Sequence, residues 1–410
     1  MSKSFVRVFA AAVVVAIGGA FAGGAMAQQP PAPKVSPNFA KTFKAAQEAQ
    51  AAKRWPEVIA KAQEVLAASG RKPDDTYYAN YLLFDAYKAQ NNNPEITKSL
   101  EGIIESGFLP PPSQAPFLNA LTALSMQTKS YDKAVDYGTR LIRAEQAGPE
   151  IYTTVGQAYF AQGKFGDATK LFSGLVGDAE KRGAKPREQD IRMLYSSYDK
   201  AGNKDGAQGA LEKWVKFYPA ATTWNALLYD VRNETQDRRQ RLHLFRLLES
   251  TGNLKQVKDF NDFSDAATYA GLPAEAQRVM QAGLTADVYK AEVDKARAER
   301  LVASAAKTAE ADKAGLAKRD AEARSAKTGD LDVALGLAYY SYGNYPSAVE
   351  ALQRGIGKGG LKNAADAAIT LGEAQLKTGD KSGALKTFAG VKADDPNAQR
   401  IAKLWSLHAQ

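Results

Sequence analysis

Two short patterns in this sequence have the residue types of a serine acyl-transfer site. Residues 197–200 (SYDK) place a hydroxyl nucleophile three positions before a lysine base, and residues 327–329 and 377–379 (both KTG) supply a second pattern of such sites. In these enzymes the second pattern lies on a strand at the edge of the site, whereas both copies here stand where a helix is predicted to end. The third pattern, Ser-Asp-Asn, is absent. The sequence therefore predicts helix turns at these positions and no catalytic residue.

The glycine-rich stretch 355–360 (GIGKGG) has the composition of a loop that cradles phosphate groups. It follows a predicted helix, whereas a dinucleotide-binding loop follows a strand, and no glycine lies five residues before Gly357 as a P-loop requires. We interpret it as a turn between helices. The sequence has no cysteine and only two histidines, His243 and His408, so thiolate metal sites and histidine-based catalysis lack the residues they need. We expect no cofactor, metal ion or small-molecule substrate, and we predict that the protein is not an enzyme.

The most basic stretch of the chain is predicted to be a helix with one charged face. Arg239 and Arg246 share that face, while Leu242, Phe245 and a leucine at 247 or 248 point inward. A solvated helix face is the favoured interpretation, and contact with an acidic partner or a lipid headgroup is the alternative. Nucleic acid is not expected, because aromatic residues do not alternate with these charges and the net charge of +9 is dispersed over 410 residues. The members of the stretch are Arg238, Arg239, Arg241, His243, Arg246, Lys255 and Lys258.

Residues 1–27 have the three parts of a secretory signal peptide. Lys3 and Arg7 give a positive start, an uncharged apolar run of about 15 residues follows, and Ala-Met-Ala at 25–27 is a small-x-small cleavage pattern. The apolar run is short for a bilayer span, although an uncleaved anchor remains the alternative. We predict cleavage after Ala27 and export to the periplasm. Removal of Lys3 and Arg7 then lowers the formal charge from +9 to +7.

One pattern recurs along the rest of the chain. A helical stretch ends in a short turn, a marker residue follows, and an alanine often lies three positions later; the steps between markers are 39, 37, 34, 39, 69, 72 and 36 residues. Two steps are double, so one degenerate repeat is predicted near Arg238 and another near Ala309. A mean period of about 36 residues is typical of helix-turn-helix solenoids. The markers are Trp55, Pro94, Tyr131, Phe165, Lys204, Pro273, Tyr345 and Lys381.

Small and large residues at fixed positions predict how the two helices of a repeat pack. Gly156 and Gly336 lie on first helices, each with a tyrosine three residues later. Glycine there allows a close approach of the second helix, and the tyrosine is expected to fill the gap. The turns carry a helix-ending glycine just before the next helix, which is a common way to stop a helix. These turn glycines are Gly163, Gly202, Gly343 and Gly379.

The stretches 151–172, 331–352 and 367–388 resemble the tetratricopeptide repeat, and weaker copies cover nearly all of the mature chain. The resemblance implies an all-α solenoid of helix-turn-helix pairs, a right-handed superhelix of about ten repeats, some of them degenerate. Such arrays need a terminal cap. Residues 397–408 supply one, because Ile401, Leu404, Trp405 and His408 share a helical face. His408 is therefore interpreted as a cap residue and not as a ligand.

The composition divides the chain into five parts. Residues 1–27 are the signal peptide, 28–38 a Pro-rich extended tether, and 39–285 an N-terminal repeat array. Residues 286–328 are rich in alanine and charge and poor in large apolar residues, which predicts long, largely solvated helices. We favour degenerate repeats there, with a helical linker as the alternative. Residues 329–410 are a C-terminal repeat pair with the capping helix.

A partner-binding surface is predicted from the position of the first helices. In tetratricopeptide arrays the first helix of each pair lines a groove, and by position the candidates fall in three successive repeats. They are mostly polar with one aromatic residue, which suits an extended peptide or a helix. The alternative is that they are ordinary exposed helix residues. The candidates are Asn119, then Thr153, Gln157 and Phe160, then Arg192, Ser196 and Asp199.

The order of four stretches gives a more specific resemblance. Residues 210–230, 271–284 and 358–363, followed by the closing tryptophan helix, resemble in their order the exported tetratricopeptide proteins associated with TonB–ExbB–ExbD energy-transduction systems of Proteobacteria. The resemblance implies a periplasmic, membrane-peripheral accessory whose partners are TonB-system components or an outer-membrane receptor, and it transfers no functional residue. A scaffold for polysaccharide export or cell-wall assembly is the alternative. The helical part of a peptidoglycan-acting enzyme is a remote one.

Overall fold

In a computed structural model, residues 33–392 and 395–410 are described, and every regular element in them is a helix. The predicted signal peptide and residues 28–32 of the predicted tether lie outside the described residues. The chain divides into two compact units, Met1–Ala207 and Gln208–Gln410. The all-α, helix-pair architecture predicted from the sequence is confirmed, since successive helices pack against each other in both units.

Unit 1 is a series of antiparallel helix pairs. The first helices of these pairs also contact one another, since α1 meets α3, and α7 meets both α5 and α9; we call these five helices the first-helix layer. The core between the two layers is built from buried residues such as Phe43, Val58, Leu82, Leu100 and Leu121. The helices are α1 (Ala40–Ala51), α2 (Trp55–Ala67), α3 (Pro73–Ala89), α4 (Asn93–Glu105), α5 (Ala115–Gln127), α6 (Tyr131–Arg143), α7 (Pro149–Ala161), α8 (Phe165–Lys181) and α9 (Glu188–Lys200), and α10 (Lys204–Phe217) contains the division between the units.

The predicted markers lie at the starts of second helices. Seven of the eight are the first residue of a helix, and Pro94 is the second residue of α4. The turn glycines predicted from sequence have the left-handed backbone expected of them, for example φ of 74° at Gly163. Lys129 occupies the equivalent place, two residues before α6, and has φ of 60° although it carries a side chain.

Glycines on the first helices permit close packing, as predicted, but the residue that fills the space is different. A Cβ added to Gly156 would lie 2.8 Å from the ring of Phe172, and one added to Gly336 would lie 2.6 Å from Leu352. The gap is therefore filled from the facing second helix, seven residues after its marker. The expectation that Tyr159 and Tyr339 fill it was wrong, because the side-chain atoms nearest to Gly156 and Gly336 belong to Phe172 and Leu352 on the facing helix.

Unit 2 continues with helices α11 to α21. The degenerate repeat predicted near Arg238 is confirmed by α12, which begins at that residue, whereas the one predicted near Ala309 was wrong because position 309 lies inside a continuous helix of 23 residues. The helices are α11 (Ala221–Glu234), α12 (Arg238–Ser250), α13 (Val257–Tyr269), α14 (Pro273–Thr285), α15 (Glu292–Ala314), α16 (Leu316–Ser325), α17 (Asp330–Ser341), α18 (Tyr345–Lys358), α19 (Ala364–Lys377), α20 (Lys381–Ala389) and α21 (Pro396–Ala409).

The last helix of unit 2 returns to the first ones. In addition to α19 and α20, α21 contacts α12, and α12 contacts α19. Trp405 donates from its indole Nε1 to the backbone oxygen of His243 at 3.2 Å, and Gln240 donates to Asp395 at 2.8 Å. The face predicted for a cap is buried, with Ile401, Leu404 and Trp405 almost inaccessible. The helix therefore closes unit 2 by contacts between residues about 160 positions apart.

The alanine-rich segment forms α15 and α16, which pack on the helices that flank them. α15 packs along α14, α16 packs on α17, and α14 and α17 also contact each other directly. Ion pairs hold α16, since Arg354 contacts Asp320 at 3.0 Å and Asp332 at 2.5 Å. Lys358 Nζ donates to the backbone oxygen of Ala323 at 2.6 Å. Polar contacts thus compensate for the small number of large apolar side chains in this segment.

Candidate protein-binding surface

The predicted groove residues lie on three consecutive members of the first-helix layer, α5, α7 and α9. Asn119, Gln157 and Ser196 are partly buried, and Arg192 and Asp199 are exposed. Within the described residues, the side chains of these five make no hydrogen bond and no ion pair. They are therefore available to a partner, in a layer whose helices the α5–α7 and α7–α9 contacts hold in register. Their role in binding stays a prediction.

Thr153 and Phe160 are engaged within unit 1. Thr153 is buried, and its hydroxyl lies 2.9 Å from Asp190 Oδ1 on α9. Arg187 contacts both Thr153 and Asp190, so the three side chains join α7 to the start of α9. Phe160 is partly buried and its ring meets Phe165 edge to face, with centroids 5.2 Å apart. Thr153 consequently contributes to the packing of the layer and offers no accessible surface.

A cluster on α1 and α3 was missed by the sequence reasoning. Tyr78, Tyr81 and Asp85 lie on one face of α3 and are partly buried. Gln47 donates to the Tyr78 hydroxyl, and Gln50 Nε2 donates to Asp85 Oδ2 at 2.9 Å. The i, i+3, i+7 spacing of these three residues on a first helix is the signal that would have found them.

Two central members of the basic stretch, His243 and Arg246, are buried, so the interpretation of a solvated helix face was wrong for them, whereas Arg238, Arg239, Lys255 and Lys258 are exposed. Arg246 and His243 are buried in unit 2. Arg246 contacts Glu275 at 2.6 Å and Glu373 at 2.7 Å, and His243 Nδ1 lies 2.8 Å from Glu373 Oε1. The reason is that carboxylates on α14 and α19 pair with these cations, which offsets the free-energy cost of burying them. Arg238, by contrast, lies over the ring of the exposed Tyr269 at 4.9 Å.

The patterns with the appearance of chemistry are structural. Ser197 is buried on α9, and its hydroxyl donates to the Met193 backbone oxygen at 2.7 Å, away from Lys200. Residues 377–379 form the turn between α19 and α20, with φ of 84° at Gly379. In the glycine-rich stretch, Gly359 ends α18 with φ of 70°. The turns predicted at Gly359 and Gly379 are confirmed, whereas Ser197 lies inside α9.

His408 lies in an aromatic cluster of unit 2. Its ring meets those of Trp224 and Trp405 edge to face at 5.8 and 5.7 Å, and burial, together with Lys377 and Lys381, lowers the pKa of His408. It is a packing residue of the closing helix, as predicted. A cleft of about 490 Å³ lies beside α21, with Phe388, Val391 and Pro396 among its apolar lining. The Lys403–Glu212 ion pair of 2.7 Å lies at this cleft.

In residues 33–392 and 395–410, no three His, Asp or Glu side chains are grouped so that they could hold a metal ion. In the same residues, no helix is both long enough and apolar enough to cross a bilayer.

No protein-family model matches the chain, and no curated protein matches it in sequence. Solved structures of helical repeat proteins do align with it. The MamA protein of AMB-1 is 18% identical, with 47% of this chain and 97% of MamA covered and a TM-score of 0.31. The TPR2AB domain of yeast Sti1, in a complex with pHSP90, is 14% identical over 73% of this chain and 99% of that one, with a TM-score of 0.26. A tetratricopeptide repeat protein from Parabacteroides merdae is 11% identical over 80% and 98%, with a TM-score of 0.29. These TM-scores are too low to carry an argument, so the fold assignment rests on the helix pairs themselves.

Proposed function

We propose that the protein is a scaffold that binds other proteins through the first-helix layer of unit 1. The observation that carries this proposal is the set of side chains on α5, α7 and α9 that make no hydrogen bond or ion pair within the described residues. These three helices pack against each other. A rigid backbone that presents polar groups and aromatic rings lowers the entropic cost of binding an extended segment or a helix. The proposal includes no catalytic step.

The setting that we propose is the periplasm, and the partner is a TonB-type energy-transduction system or one of its outer-membrane receptors. The signal-peptide pattern of residues 1–27 supports export, and the order of the stretches at 210–230, 271–284 and 358–363 supports the TonB association. Exported protein is expected to begin at Gln28. Mass spectrometry of the protein from a periplasmic fraction tests this, and an intact Met1 start in the membrane fraction would contradict it.

The binding proposal is tested by crosslinking in intact envelopes, followed by capture of mature protein tagged at its C-terminus. We expect TonB-system components or an outer-membrane receptor among the specific hits, and their loss from the variant with Gln157→Glu and Arg192→Glu. Arg143→Glu is the control for the Arg192→Glu component, because Arg143 is exposed at the end of the second helix α6 and undergoes that same substitution outside the first-helix layer.

The outcomes separate the parts of the proposal. Capture of polysaccharide-export or cell-wall assembly proteins would retain the scaffold and reject the TonB association. Specific hits that survive Gln157→Glu with Arg192→Glu would move the binding surface elsewhere. Hydrolysis of peptidoglycan by the purified protein would contradict the non-enzymatic scaffold.

A further inference from the structure

The Asp85 carboxylate on α3 is partly buried, and no ion pair is formed with it by any residue that the structure describes. Within the described residues its side-chain hydrogen bond comes from Gln50, and no lysine or arginine forms an ion pair with it. Burial raises the pKa of Asp85 despite opposing effects from Lys88 and from the Gln50 hydrogen bond. A carboxylate in this position costs folding free energy unless something outside the chain compensates it.

Other sheltered carboxylates of unit 1 are compensated. Glu101 accepts from Lys133 Nζ and from the Tyr137 hydroxyl, both at 2.7 Å. Asp190 contacts Arg187 at 2.7 Å. Asp75 accepts from the backbone N–H groups of Ser36 and Lys72 at 2.8 and 2.9 Å. Asp85 differs from all three.

Two aromatic rings stand beside Asp85. Tyr81 is four residues before it and Tyr78 seven, which places them on the same helix face. Burial raises the pKa of Tyr81 to about 12 and also raises the pKa of Tyr78. The negative charge of Asp85 contributes to both increases, which shows that it interacts with both phenols. Both rings are supported from behind. Tyr78 packs on Phe43 with centroids 5.0 Å apart, and Tyr81 packs on Phe84 at 6.3 Å.

We propose that Asp85, Tyr78 and Tyr81 bind the cationic side chain, lysine or arginine, of the protein segment that occupies the first-helix layer. An ammonium or guanidinium group is attracted both by the carboxylate and by the faces of aromatic rings, and these attractions strengthen where water is partly excluded. Gln47 and Gln50 on α1 fix the orientation of Tyr78 and Asp85. This inference deepens the proposed function and depends on it for the identity of the ligand as part of a protein.

The binding test uses full-length mature protein and three probes in ligand-observed NMR titrations: N-acetyl-lysine amide, N-acetyl-arginine amide and the uncharged N-acetyl-norleucine amide. We expect the two cationic probes to bind at least tenfold more tightly than the norleucine probe. Asp85→Asn removes that preference, and Tyr81→Leu weakens the binding of both cations. Asp167→Asn, at an exposed position on the second helix α8, is the matched control and leaves the preference intact.

A second measurement separates a binding role from a structural one. In urea unfolding at pH 7, Asp85→Asn is expected to keep or raise the midpoint, because it removes an uncompensated charge. Glu101→Gln is expected to lower the midpoint, since Glu101 is paired. A fall for Asp85→Asn like that of Glu101→Gln, or an unchanged cation preference in Asp85→Asn, overturns the inference. If the crosslinking experiment gives no specific hits but the protein still prefers the cationic probes, the proposed function is rejected and the cation site at Asp85 stands.

Discussion

Arg246 and Glu373 form a buried ion pair of 2.7 Å although 127 residues separate them along the chain. Arg246 also holds Glu275, and its guanidinium lies 4.2 Å from the centre of the Tyr340 ring. His243, one turn earlier on α12, contacts the other oxygen of Glu373. Four helices of unit 2, namely α12, α14, α17 and α19, therefore meet at one group of charges. This group ties the early helices of the unit to its late ones.

Loss of the Glu373 charge is expected to destabilise unit 2. Glu373→Gln leaves the buried cations Arg246 and His243 without one of their carboxylate partners. Removing one partner of a buried ion pair lowers the free energy of unfolding by about 3 kcal/mol. Urea unfolding followed by tryptophan fluorescence measures the free energy of unfolding of unit 2, because three of the four tryptophans, Trp214, Trp224 and Trp405, lie in that unit. Glu234→Gln, in the exposed pair with Arg400, is the control and should change stability by less than about 1 kcal/mol. Equal effects of the two variants would contradict the role of the buried group.

The stability of unit 2 should fall as the pH rises from about 6.5 to about 9. Burial alone would lower the pKa of His243, but the charges of Glu373 and Asp366 raise it from 6.5 to about 9. Because the folded value is the higher one, the stabilisation is complete below pH 6.5 and is lost as the pH passes through 9. The shift corresponds to at most about 3 kcal/mol.

The His243→Gln variant provides the comparison for that pH dependence. The difference in unfolding free energy between the native protein and His243→Gln should shrink across pH 6.5–9, since the variant has no proton to lose there. Arg239 and Arg246 also face this group and stay charged throughout the range. A difference that stays constant with pH would show that His243 is not protonated in the folded unit.

Alanine substitutions at two glycines of unit 1 should have opposite effects. Gly156→Ala places a methyl group 2.8 Å from the buried ring of Phe172, and such overpacking costs about 1–3 kcal/mol. Gly174→Ala, on the exposed side of α8 with no atom within 4 Å, should stabilise by about 0.5–1 kcal/mol because alanine favours the helix. Urea unfolding followed by circular dichroism at 222 nm gives both values. A stabilising Gly156→Ala would mean that α7 and α8 are less closely packed than described.

The repeat architecture was predictable because its signals are local. Each marker residue follows a turn and is the first or second residue of a helix, so a turn signal and an apolar period of 3.6 residues suffice to place it. The prediction near Ala309 failed for the same reason. Alanine-rich sequence supports one long helix as well as two short ones, and α15 continues through residue 309.

The burial of His243 and Arg246 was not predictable from the periodicity of their own stretch. On α12 the alternation of arginine and leucine fits a solvated face. Only carboxylates on other helices, Glu275 at 29 residues from Arg246 and Glu373 at more than a hundred, make Arg246 and His243 interior residues. Glu373 offered a hint, since it is the one charged residue within the stretch 367–376 (AAITLGEAQL). The candidate site at Asp85 was missed similarly, because what distinguishes that carboxylate is the lack of an ion pair with any of the described residues, and this follows only from the folded structure.

The turn before α6 should gain stability from a glycine. Lys129 has φ of 60°, a left-handed conformation in which a side chain is strained, whereas Gly163 occupies the equivalent turn before α8 with φ of 74°. Lys129→Gly should therefore raise the unfolding free energy of unit 1 by about 1 kcal/mol. Lys170→Gly makes the same chemical change at an exposed helical position of α8 and should lower it by about 1 kcal/mol. Circular dichroism in urea compares the two, and hydrogen exchange of the α5–α6 amides locates the gain. A loss of stability in both variants would show that the Lys129 side chain contributes more than its backbone conformation costs.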